Sequence, residues 1–356
     1  MKDEIRIIDP CVDQRWDEFV KNHPWGWIVH LSGWKKVLES TFPHMRGHYF
    51  ALIDKETDTI KAGLPVYEVR SWLTGNRLVS IPFATLSDPL VSDKRQSKML
   101  MDEAIQLLER LKLSYLEIRT LNNNFLQDDK TLSSNHDYIN HYLDLSQSEE
   151  QLWKKLKNKT IGRWISKARK HDIKLRVADN EQDVFVFYQL YAGTRRLLGL
   201  PAQPYNFFKA IYDAFFQLRL IEIHLATIEG KTIGGHFYFK FNRRMSAEAV
   251  GDDFAYRNIG INHFLYWEGI HSAYASGYQT FDFGRTSIYN PTLMDFKKRW
   301  GTIETDLSYY YEYQKKRVNA TSRETSIPYK LMHYICHNLP GSVQPAISHF
   351  CYRHLG

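Results

Sequence analysis

Two periodicities share this chain. Alternation of apolar and polar residues marks short strands at 4–8, Tyr49–Asp54, Ile60–Arg70, Arg77–Phe83, Tyr115–Arg119 and Asn140–Leu145. Between them, helical spacing predicts helices near 13–21, 33–40 and 98–110; in the last, Leu100, Met101, Ile105, Leu107 and Leu108 supply an apolar stripe. The Asn- and Asp-rich stretch 121–136 reads as a surface loop. Past Ser148 the pattern turns helical and basic over 149–171, then continues as helices over 182–198 and 205–218. Strands follow at 220–228, 231–241 and 244–250, the first two joined by the tight turn Glu229-Gly230. A helix over 261–276, a strand at 280–283 that enters a polar loop, and a closing strand at 307–313 complete the second half.

Each half thus holds a hairpin, a helix and a further strand, the order expected of layered α/β domains. Domains are predicted at 1–147 and 148–315, the second carrying the basic helical segment, with a helical tail over 316–356 that includes an apolar helix at 327–339. A length of 356 residues fits two cores better than one.

Composition narrows the partners. The net charge of +7 favours anionic ones: a nucleotide-bearing donor, RNA or an anionic lipid surface. The three cysteines, Cys11, Cys336 and Cys351, are far apart, without metal-ligand spacing or a disulfide framework, which suits a reducing cytoplasm. The charged start and the absence of long apolar runs predict neither a signal peptide nor a membrane span. No metal site and no DNA-reading motif is expected.

Candidate chemistry concentrates in the second half. Arg257-Asn-Ile-Gly-Ile-Asn262 opens a helix after a strand, so Gly260 with the amides of Ile261 and Asn262, and Arg257 beside them, can receive phosphate oxygens; the competing reading is an ordinary glycine turn. In Phe281-Asp-Phe-Gly-Arg285 the rings face one layer and Asp282 the other, and Arg285 can clamp an anion or pair with Asp282. Lys297, before Lys298, Arg299 and Trp300, can hold phosphates or stabilise charge on a reacting carbonyl. Arg163 and Lys167 share a helix face that can meet a polyanion, and Trp300 offers an apolar wall for a ligand or the core. Asp253, Glu248 and His263 are the candidate bases, His263 being the one best read as packed. The last apolar segment, Ala346–Phe350, can pack on the protein or lie on an anionic membrane surface.

Phe281-Asp-Phe-Gly-Arg285 followed by Phe296-Lys-Lys-Arg-Trp-Gly301 resembles the FemAB-like branch of the GNAT acyltransferase superfamily. Trp25, Trp34, Gly63-Leu-Pro65, Leu78–Phe83 and the basic segment Arg163–Ala168 extend the likeness over about 15–310, and Leu339-Pro340 resembles the tail of exopolysaccharide-associated members. The resemblance implies two tandem GNAT-like domains with mixed central sheets flanked by helices. It implies transfer of an acyl or aminoacyl group to an amine of a cell-wall or surface-polysaccharide precursor. The donor would be acyl-CoA or aminoacyl-tRNA, taken as a substrate with no permanently bound cofactor. Under it Asp282, Arg285 and Lys297 serve catalysis, Arg257, Gly260, Ile261 and Asn262 hold the donor, and Arg163, Lys167 and Trp300 hold substrate; Asn262 departs from the usual small third residue. Further partners are tRNA, a lipid-linked glycan precursor and, peripherally, the inner face of the cell membrane. The alternatives are a noncatalytic polysaccharide-assembly protein of the same fold and an RNA-binding protein.

Overall fold

A computed structural model describes residues 3–122, 124–314, 334, 336 and 343–355. The chain divides into two compact units: Met1–Tyr138 with Asp306–Thr321 and Phe350–Gly356, and Ile139–Thr305 with Ser322–His349. The changeover at 138/139 lies nine residues before the expected 147/148.

In the first unit, strands β1 (Asp3–Ile8), β2 (Arg46–Asp54), β3 (Ile60–Val69), β4 (Arg77–Val79), β5 (Tyr115–Thr120) and β12 (Ile303–Tyr313) are neighbours in that order. Only the β4–β5 pair among them is parallel. Helices α1 (Arg15–Asn22), α2 (Ser32–Thr41) and α3 (Lys94–Arg110) accompany the sheet. Asp93 starts α3 by accepting the amide of Gln96, and Leu100, Met101, Ala104, Leu107 and Leu108 then pack on Leu64, Leu116 and Ile118. Ser308–Tyr313, within the segment expected to close the second sheet, pair antiparallel with β5.

The second unit, which takes β6 (Ser133–Asp144) from Ile139 onward, orders that strand, β11 (Thr280–Ser287), β10 (Arg244–Asp252), β9 (Lys231–Phe241), β8 (Ile221–Ile228) and β7 (Lys174–Val177). β7 to β10 form an antiparallel meander and β11 returns parallel to β10, its crossover made by α8 (Ile261–Ala275). Helices α6 (Glu181–Leu197) and α7 (Tyr205–Phe215) precede the meander.

Three local expectations change. The expected loop at 121–136 gives way to strand from Ser133 onward. The basic segment 149–171 is two helices, α4 (Glu149–Leu156) and α5 (Thr160–Lys170), and its buried positions explain the break. Leu152 and Leu156 are four apart and Ile161 and Ile165 are four apart, but the step from Leu156 to Ile161 is five, so one unbroken helix would turn the second pair away from the first. The polar loop expected after Phe283 holds the rest of β11 and helix α9 (Pro291–Lys298), begun by the Asn290 side chain on the Leu293 amide with Pro291 in the first turn. The apolar segment at 346–350 lies in α10 (Gln344–His354), whereas the helix expected over 327–339 falls outside the described residues apart from Tyr334 and Cys336.

Candidate functional site

β10 and β11 pair only over Arg244–Thr280, Met245–Phe281 and Ser246–Asp282. Beyond that point each strand departs from regular geometry. β10 inserts Glu248 as an extra residue against β9, and β11 turns at Gly284 with φ +72°. The ladder therefore stops in mid-sheet, and the chemistry-bearing side chains gather where it stops.

Phe281 and Phe283 enter the apolar layer with Tyr266, Trp267 and Trp300, and Asp282 faces the other way, as the alternation predicts. Asp282 is fully buried and accepts from Arg244 Nη1 at 2.5 Å, Asn140 Nδ2 at 3.0 Å and the amide of Gly284 at 2.6 Å. Its ion-pair partner is thus Arg244. Arg285 is exposed and contributes to the field at Lys297 and Glu248.

Lys297 sits in the last turn of α9, where the helix dipole favours a cation, yet its side chain is buried. Nζ donates to the carbonyls of Gly284 at 2.8 Å and Arg285 at 3.1 Å, on the stretch of β11 past the end of the ladder. Burial lowers its pKa to about 7, helped by Arg285 and opposed by the carboxylates of Asp282 and Glu248. Glu248 is partly buried, and desolvation with the nearby Asp282 charge raises its pKa to about 7 against the Ser246 hydrogen bond and the cations Arg244 and Arg285. A lysine and a glutamate in one electrostatic cluster are thereby both poised near neutrality. Thr286 Oγ1 on β11 and Asn140 Oδ1 on β6, both buried, have no hydrogen-bond partner among the described residues.

Two other candidate bases are engaged elsewhere. His263 stacks on Trp164 at 5.6 Å, and burial lowers its pKa to about 4. Asp253 caps the turn at Ala255 and pairs with Lys231.

The turn read as a donor-binding element is well braced. Arg257 meets the buried Asp252 through Nε at 2.7 Å and Nη2 at 3.0 Å, and Asn262 links Asp252 (3.4 Å) to His236 Nε2 (3.1 Å). Gly260 precedes the first residue of α8, Ile261, with φ +88°, and a Cβ there would stand 2.6 Å from the Trp164 carbonyl oxygen of α5. Gly260→Ala is therefore expected to lose about 3 kcal/mol, from backbone strain plus displacement of α5. Urea unfolding of the variant beside wild type measures it, and a loss within experimental error would mean that α5 yields freely.

Arg163 and Trp300 line one cleft of about 540 Å³ together with Lys155, Lys159, Lys298 and Arg299; Lys167 is not in its wall and instead lies over the Trp164 ring at 5.0 Å. Arg244 and Asn140 were missed from sequence, and Lys159 was read only as one of the cations of the basic segment 149–171. Only Lys159 carried a signal, standing one helical turn before Arg163. Among the described residues no group of His, Cys, Asp and Glu could hold a metal ion, and no helix is long and apolar enough to cross a membrane.

Residues 155–298 match the family model described as an acetyltransferase (GNAT) domain. No curated protein matches the chain in sequence. Among solved structures the chain is similar to FemX, with TM-score 0.69 and 15% identity over 86% of this chain and 96% of that one. It is also similar to L-PGS from Bacillus licheniformis, with TM-score 0.56 and 12% identity over 90% and 95% of the two chains. A tandem GNAT protein from the clavulanic acid biosynthesis pathway gives TM-score 0.56 and 9% identity over 88% and 99%. The fold is a GNAT-like α/β fold with a mixed central sheet.

Proposed function

We propose that the second unit transfers an activated acyl or aminoacyl group to an amine at the end of the β10–β11 ladder. The observation that carries this reading is the shared cluster of Lys297 and Glu248, each with a pKa brought to about 7 from opposite directions. Such a pair suits a reaction that removes a proton at one atom while negative charge grows on another.

In this reading the acceptor nitrogen attacks the donor carbonyl carbon, forming the C–N bond. Protonated Lys297 stabilises the charge that develops on the carbonyl oxygen, and ionised Glu248 takes the proton from the nitrogen. When the tetrahedral centre collapses, the bond to the carrier breaks and the proton held by Glu248 passes to the leaving thiolate or alkoxide. Asp282, fixed by Arg244 and Asn140, keeps the local field that favours the lysine cation. Arg285 counters that field and is proposed to orient a substrate carboxylate or phosphate. Arg257 is already paired with Asp252, so Arg257, Gly260, Ile261 and Asn262 are assigned to setting the start of α8.

The motif resemblance supports an acceptor amine on a cell-wall or surface-polysaccharide precursor and leaves acyl-CoA and aminoacyl-tRNA as the donors to test. The full chain, incubated with each donor and an amine acceptor, should release carrier and form amide. With ionised Glu248 as base and protonated Lys297 as cation, kcat/KM should rise and fall around pH 7, both limbs lying close together. Glu248→Gln should remove the acid limb and lower the maximum about a hundredfold. A variant that keeps the acid limb would exclude Glu248 as the base. Failure of both donors to yield amide would count against the whole reading.

A further inference from the structure

β11 runs into α9 through a turn that holds apolar side chains out in water. Thr286 and Ser287 are buried, and Ser287 closes the turn: its Oγ accepts the Tyr289 amide at 3.3 Å and its carbonyl accepts the Asn290 amide at 2.9 Å. The Asn290 side chain then starts α9 on the Leu293 amide at 3.1 Å. Within this braced segment Ile288 is 44% exposed, Tyr289 51% and Leu293 37%. A lone exposed apolar residue is ordinary, but three held outward by one hydrogen-bonded turn mark a contact surface.

The charge around the turn selects the partner. The first unit holds as many basic as acidic residues, so the whole net charge of +7 belongs to the second. Arg285 is exposed on β11 just ahead of the turn. At the far end of α9, Lys298 and Arg299 share a cleft wall with Lys155, Lys159 and Arg163, and no carboxylate lines it. Between residues 285 and 299 the only acidic residue is Asp295, and it pairs with Arg299. Apolar side chains that can enter an interfacial layer, set among cations that attract headgroups, are what holds a protein surface to an anionic bilayer. A tyrosine among them suits that boundary, with an apolar ring and a polar tip. A protein partner fits less well: a stable interface takes roughly 20–30 residues a side, far more than one turn offers, whereas a bilayer needs no matching shape.

We infer that the β11–α9 turn docks on an anionic lipid bilayer, with Ile288, Tyr289 and Leu293 entering the interfacial layer and the surrounding cations drawn to the headgroups. The turn is the direct continuation of the stretch of β11 that receives Lys297, and Lys297 itself sits in the last turn of the helix that follows. Docking would therefore bring the end of the β10–β11 ladder to the lipid surface. That consequence rests on the transfer reading; the docking itself does not, and it can be measured without turnover.

The test is flotation of the full chain with vesicles of phosphatidylcholine alone and of phosphatidylcholine with about one third phosphatidylglycerol, each at low and high salt. Wild type should partition onto the anionic vesicles at least about tenfold better than onto the neutral ones, and the preference should shrink in high salt. The Ile288→Ser/Leu293→Ser variant should lose at least about tenfold of that partition. Both side chains are exposed, so its thermal unfolding should match wild type, and the single variants carry the same test should it not fold. Trp72→Ser, at an exposed apolar position of the first unit, should change partition less than about twofold. Glu248→Gln should float as wild type does, which separates failure of docking from failure of the transfer reading. Absence of flotation on anionic vesicles or undiminished flotation of the double variant would overturn the inference. So would self-association in analytical ultracentrifugation that the double variant abolishes, since the face would then belong to a second copy of the chain.

Discussion

Replacing Lys297 by Met should lower kcat by about 10²- to 10³-fold, the range for loss of one donor aimed at a developing oxyanion. KM should change little, because the lost interaction belongs to the transition state. Folding of the variant provides an independent readout. In the native protein Lys297 has a pKa of about 7, below the ordinary lysine value of 10.5, so between those limits the unfolded chain binds more protons. Wild-type stability should therefore gain from Lys297 as pH rises through that window, by up to about 1.4 kcal/mol per pH unit. The methionine variant lacks this gain. Urea unfolding of both proteins at pH 7 and pH 9.5 should show the variant's relative stability falling as pH rises. A pH-independent difference would mean that Lys297 is not held by burial in the way described, and unchanged kcat would remove it from the chemistry.

Asp282→Ala should be the most destabilising substitution at the site, by about 3–5 kcal/mol, the cost of breaking a buried ion pair from one side. It leaves Arg244 without its carboxylate, Asn140 Nδ2 without its acceptor and the Gly284 amide without its partner. It also removes the charge that most strongly supports protonation of Lys297, so any folded fraction should lose its alkaline limb of activity at a lower pH than wild type. Asp282→Asn separates the two roles: its shape and much of its hydrogen bonding persist, but the charge is gone. Thermal unfolding and the pH–rate profile of both variants measure the effects. Wild-type stability in Asp282→Ala would show that the Arg244 contact contributes little.

The legible parts of this protein were those written locally. The Phe281-Asp-Phe alternation told which way Asp282 points, because residues on a strand face opposite sides in turn whatever lies around them. The basic character of α5 was equally plain; Arg163 and Trp300, read separately as substrate-holding, line one cleft, whereas Lys167, read on the same face as Arg163, does not. What sequence could not supply was pairing at long range. The side-chain hydrogen bonds that fix Asp282 come from residues 38 and 142 positions away, and nothing in the local pattern of Arg244 or Asn140 announces that destination. Nor does the local pattern announce that Arg257, read as a donor-binding residue, pairs with Asp252 at the end of β10. Glu248 was named as a candidate base, but its position follows from a bulge against β9, a mismatch of two strands that neither strand contains alone.

The last strand of the sheet carries a consequence for how the polypeptide can be divided. β12 arrives only after the long segment 139–305 of the second unit has been threaded, and along Ser308–Tyr313 it seals the flank of β5. A fragment ending near residue 138 would therefore leave Tyr115–Thr120 as a naked sheet border of unpaired amides and carbonyls, prone to recruit a strand from another molecule. The two units are separate in their cores but not in their synthesis: the ribosome must deliver more than three hundred residues before the first of them is finished.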